Sequence, residues 1–119
     1  MTPRMLLEQA QRLINGNGGV RGLPWARAAT LLLRQALEGA ITNYWRRKGQ
    51  TGLANSSWRS QLICLPYFLS DPPLATRIGW IWSALSRAIH HRGLEFAPSE
   101  AELAGYVTDV AALIDLIER

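Results

Sequence analysis

Apolar residues recur at three- and four-residue steps along most of the chain, and no stretch alternates apolar with polar at a period of two. That spacing predicts helices throughout and no sheet. The first helix opens at Thr2 and Pro3, a side-chain N-cap followed by a residue preset for a first helical turn. Leu6, Ala10, Leu13 and Ile14 share one of its faces, and Asn15 with Gly16 ends it. The glycines at 16, 18, 19 and 22 read as a linker. They do not make a phosphate cradle, because no strand precedes them and no Gly-Lys-Ser/Thr follows.

Pro24 starts a second and longest helix that reaches to about Lys48. Trp25, Ala29, Leu32, Ala36, Ala40 and Tyr44 form its stripe, widened by Ala28, Leu33, Leu37, Ile41 and Trp45. A stripe this broad predicts a helix covered on most of its girth, at the centre of a bundle. Ser56 and Ser57 cap a short third helix with Trp58, Leu62, Leu65 and Phe68 inward, and Pro66 kinks or shortens its end. Asp71, Pro72 and Pro73 are a stop-and-restart signal before a fourth helix from about Leu74 to His91. Its core stripe is Leu74, Ile78, Ile81, Leu85 and Ile89, with Trp82 beside it. Ser99 with Glu102 is a capping box that starts the fifth helix, whose stripe is Leu103, Val107, Val110, Ile114 and Ile117. The expected fold is all-α, one domain over 1–119, an up-and-down bundle of four main helices plus the short third one.

Composition narrows the class. A chain of 119 residues, 48% of them hydrophobic, can bury a core without disulfides or metal. Its apolar runs are short and broken by Arg, which excludes a membrane span. The one cysteine, Cys64, excludes an intramolecular disulfide framework and reads as a small buried hydrophobe. The first thirteen residues carry charges throughout and hold no apolar signal core, so a cytoplasmic protein is expected.

Charge is distributed unevenly. Residues 1–92 hold 12 basic and 3 acidic residues, whereas 93–119 hold 1 basic and 6 acidic. A basic body with an acidic end points either to a polyanionic partner or to charge complementarity within an assembly. Arg46, Arg47 and Lys48 close the second helix, where cations favour the helix dipole and can also meet phosphate.

The candidate chemistry gathers at the end of the fourth helix, which carries both histidines. Helical spacing sets Ser83, Ser86, Arg87 and His90 on one polar face, and His91 one turn below Arg87 with Trp80 and Arg77 further up. A histidine here can exchange a proton with a ribose 2′-hydroxyl or with a leaving oxygen, and an arginine can hold the phosphate between them. The same residues also suit a plain helix C-terminus ended by Gly93. His90 and His91 are a poor metal pair, since neighbouring helix residues point about 100° apart and no third ligand is placed. A Ser-His-acid triad lacks its strand-turn-helix elbow. No cofactor is expected.

The segment from Trp82 to Ile117 resembles the C-terminal half of the HEPN superfamily of small helical nucleotide-associated proteins. Ser86, Ile89 and His90 match its small polar, hydrophobic and His places, and Arg92 with Gly93 and the capped last helix match its exit. Arg34-Gln35-Ala36-Leu37-Glu38, inside a long Ala/Leu stripe, fits its second helix. The resemblance implies an RNA-binding or metal-independent RNA-cleaving domain of a prokaryotic defence or toxin–antitoxin system, partnered by RNA or an antitoxin protein. It also implies a homodimer whose paired motifs face a shared cleft. In the cleaving version His90 is the general acid/base, Arg87 the phosphate clamp and Ser86 an assistant, with His91, Arg92 and Arg77 as nucleic-acid contacts. The family's catalytic arginine stands four to six residues before the histidine, counting those between. Here those places hold Leu85, Ala84 and Ser83, so the catalytic pattern is departed and only Arg87 stands near in space. Binding is therefore expected ahead of cleavage. The alternative is a non-catalytic helical dimerisation or protein-interaction module. Trp58 and Trp80, near or off the stripes, are the interface candidates.

Overall fold

The computed structural model describes residues 1–16, 25–89 and 98–119. Six helices follow in order among them: α1 (Pro3–Ile14), α2 (Trp25–Arg47), α3 (Thr51–Ala54), α4 (Trp58–Phe68), α5 (Pro72–Ile89) and α6 (Glu100–Ile117). No strand occurs among the described residues, and none of these helices is long and apolar enough to cross a membrane.

The expected caps are in place. Thr2 accepts from the Met5 N–H, Ser57 from the Ser60 N–H and Asp71 from the Leu74 N–H. At α6 the box is reciprocal: Ser99 Oγ accepts from the Glu102 N–H at 3.1 Å, and Glu102 Oε1 accepts from the Ser99 N–H at 3.2 Å. Two local expectations change. Pro66 lies inside α4, two residues before its end, and does not cut the helix short. The single-turn α3 was not anticipated; Gly49, at φ 72°, lets the chain leave α2 and re-enter a turn at once.

α2 packs against α1, α5 and α6, and α6 packs in turn against α1 and α5. Its buried face runs through Ala29, Leu33, Ala36, Leu37, Ala40, Ile41, Tyr44 and Trp45. Arg27, Ala28, Leu31, Gln35 and Asn43 keep an exposed strip, and Trp25 and Leu32, expected on the stripe, are half-buried. In α1 the buried line is Pro3, Leu7, Ala10 and Ile14, with Leu6 and Leu13 flanking it, a slight rotation from the face read in the sequence. All five residues of the α6 stripe are buried. α4 covers the core less completely. Leu65 and Gln61 are buried, Phe68 meets Trp45 edge-on at 5.0 Å, and Ile63 and Tyr67 face outward.

Polar contacts lock the helix ends. Arg4 of α1 pairs with Asp115 of α6 and with Glu118 at its C-cap, and hydrogen bonding to Asp115 raises its already high pKa further. Arg47 Nη2 donates to the Ile117 carbonyl at 2.8 Å, so a cation at the end of α2 caps the end of α6. Thr30, buried mid-helix, returns its hydroxyl to the Ala26 carbonyl.

Truncating the centre of this core should cost far more than removing a cap. Leu37→Ala is expected to destabilise the fold by roughly 2–5 kcal/mol, and Ser99→Ala by about 1 kcal/mol. Urea unfolding followed by circular dichroism measures both. Equal losses would contradict the central place given to α2.

Candidate functional site

α5 divides its surface sharply. Leu74, Ala75, Ile78 and Leu85 are buried against the core. The opposite line, at positions 77, 80, 84 and 87, faces out, because those positions fall on one side of a 3.6-residue repeat. Trp80 on that line is 75% exposed, an unusual situation for the largest apolar side chain. Arg77 stands one turn before it and Arg87 two turns after, both exposed. Neither makes an ion pair or hydrogen bond among the described residues.

Two open cavities flank the Trp80 ring. The larger, about 490 Å³, is lined by Trp80, Ile81, Ser83, Ala84 and Arg87. The smaller, about 160 Å³, is lined by Arg77, Trp80, Ile81 and Asp109, the last contributed by α6. The structure thus brings Arg77, Trp80, Ser83 and Arg87 onto one surface, as the helical spacing predicted. His90, His91 and Arg92 lie outside the described residues.

Ser86 is placed differently from its expected position on that polar face. Its residue is half-buried and its Oγ is fully buried, without a hydrogen-bond partner among the described residues. One turn before it, Trp82 takes part in a polar seam between α5 and α2. There Trp82 Nε1 donates to Glu38 Oε2 at 2.9 Å, and Arg34 Nε stands 3.8 Å from the same oxygen. Arg27 Nε donates to the Ile89 carbonyl at 2.8 Å, which ties the last described residue of α5 to the start of α2. The two helices are therefore antiparallel, and stepping one turn from the Glu38–Trp82 pair puts Arg34 and Ser86 at one level. Trp58 packs on Trp82 with ring centroids 5.7 Å apart.

Glu38, Trp82 and Asp109 were not singled out in the sequence as site residues. Glu38 left a faint signal, a carboxylate off the stripe of an Ala/Leu-rich helix. Asp109 left another, a lone charge in the apolar middle of α6. No group of metal-ligating side chains occurs among the described residues. Comparison of the chain with models of known protein families, with curated proteins and with solved structures finds no match.

The seam makes a testable demand on Glu38. Glu38→Ala leaves a half-buried indole N–H without its acceptor and should destabilise by about 1–3 kcal/mol. Glu38→Gln keeps a carbonyl acceptor and should recover most of that loss. Urea midpoints for the three proteins check it; a neutral Glu38→Ala would show that the bond does not hold α5 on α2.

Proposed function

We propose that the chain is a HEPN-like domain that binds single-stranded RNA on the outer face of α5. The observation that carries this reading is the exposed Trp80 set between Arg77 and Arg87, neither paired among the described residues, with Trp80 lining two open cavities. An exposed indole offers any base a stacking surface, and flanking guanidinium groups supply contacts to phosphate or to a base edge. A buried tryptophan would serve packing alone, and an arginine already paired to a carboxylate would offer little to phosphate.

The HEPN resemblance supplies the context. Two copies would set their α5 faces about a shared cleft, doubling the cations there, in a prokaryotic defence or toxin–antitoxin setting. Binding leads this reading because the Ser86 hydroxyl is buried and the family's catalytic arginine is missing from its place. In a cleaving version, His90 would transfer the proton and Arg87 would hold the phosphate.

Fluorescence anisotropy with a labelled ten-nucleotide RNA tests the reading. Affinity should fall steeply with salt. Trp80→Ala should weaken binding by about 1–3 kcal/mol, the range for one stacked base. Arg87→Ala should lower the slope of log affinity against log salt by about 0.7. Absence of salt-dependent binding, or a Trp80→Ala variant that binds like the native chain, would overturn the proposal.

A further inference from the structure

The two cavities beside Trp80 differ in chemistry, and the smaller one is the more selective. It joins an aromatic face, a cation and an anion: Trp80, Arg77 and Asp109 line it together with Ile81. Most of the protein's carboxylates are committed elsewhere. Glu38 accepts from Trp82, Asp71 and Glu102 cap helices, and Asp115 and Glu118 hold Arg4. Asp109 is half-buried and has no hydrogen bond or ion pair among the described residues. Arg77 faces the same cavity, yet the two do not pair with each other. A guanidinium and a carboxylate that pair with no described residue, on one small cavity that an indole also lines, call for a ligand with acceptors on one edge and donors on the next.

We infer that this cavity is a guanine-selective base site, with the ring stacked on Trp80, Arg77 on its O6/N7 edge and Asp109 on its N1–H/N2–H edge. The inference rests on the reading of α5 as an RNA surface. Guanine alone among the four bases meets both requirements. Its N7 and O6 are two adjacent acceptors that a guanidinium fork can engage together. Its N1–H and exocyclic amine are two adjacent donors, and a carboxylate, which only accepts, can take both. Adenine offers an amine where Arg77 needs an acceptor. Uracil places a carbonyl on each side of its single N–H, against the carboxylate. Cytosine offers an amine next to a ring acceptor. A carboxylate is otherwise an unfavourable neighbour for a phosphate backbone, so its position beside Arg77 is better suited to reading a base than to raw affinity.

The test uses the full chain and labelled ten-nucleotide oligouridines carrying one central G, A, C, U, inosine or 7-deazaguanosine, with binding followed by anisotropy. The central G should bind about 10–100-fold tighter than A, C or U, the discrimination expected of good bidentate base contacts. Inosine, which lacks the exocyclic amine, and 7-deazaguanosine, which lacks N7, should each lose most of that preference. Asp109→Asn should abolish the preference for G while raising affinity for all-uridine RNA, because a charge that repels phosphate is gone. General damage to the fold would lower both affinities together. Arg77→Gln should bind G and 7-deazaguanosine alike. Equal binding of all six strands, still weakened by Trp80→Ala, would overturn the guanine site and leave the RNA surface standing. An Asp109→Asn variant that keeps its preference for G would also overturn it. Absence of binding to every strand would remove the RNA reading and the guanine site together.

Discussion

Burial of α2 is the constraint from which the rest of this structure follows. A 23-residue helix carries a broad apolar face that no single neighbour can cover. The face mixes small and large residues. Ala29, Ala36 and Ala40 are fully buried and permit close approach, while Leu33, Leu37, Ile41 and Trp45 fill the space between helices. α1, α5 and α6 each take part of it, and their contacts with one another are consequences of sharing one support. Apolar burial gives the driving force but no unique register. Register comes from the polar ties at the periphery: Arg4 to Asp115 and Glu118, Arg47 to Ile117, Arg27 to Ile89, and Trp82 to Glu38.

α5 shows how this support makes a candidate surface. Its inner face is spent on the core and its flank on the seam with Glu38 and Arg34. What remains outward is a narrow line bearing Arg77, Trp80 and Arg87. The inner face is fixed by packing and the seam by a directional hydrogen bond, so the outer line is positioned by contacts made elsewhere on the helix. A ligand meeting it would not have to order the backbone first, which lowers the entropic cost of binding. Ser86 illustrates the same division. It immediately precedes Arg87, yet about 100° of helical rotation buries its hydroxyl while Arg87 stays in solvent.

The charge asymmetry of the sequence takes a different form in space. The acidic last segment does not stand apart from the basic body. Asp115 and Glu118 meet Arg4, and Glu102 serves its own helix end. Asp109 shares a cavity with Arg77. An α6 carboxylate therefore borders the cationic face of α5.

The sequence by itself determined the helical class, the caps and most of the core. Helix periodicity and capping are local properties, set within one or two turns. Thr2, Ser57 and Ser99 and the α6 stripe could be read directly for that reason. It also determined that Arg77, Trp80 and Arg87 share a line, which needs only the helical repeat. Tertiary structure alone decided which side of each helix faces which neighbour. It turned the α1 face by a fraction of a turn, left a solvent strip along α2 and drew Ser86 inward. It also made the pairings between distant positions: Glu38 with Trp82, Arg27 with Ile89, and Asp109 beside Arg77. Such pairings depend on how helices remote in sequence pack and slide against one another. No local pattern encodes that choice, because it is settled by the joint fit of all the faces that α2 must bury.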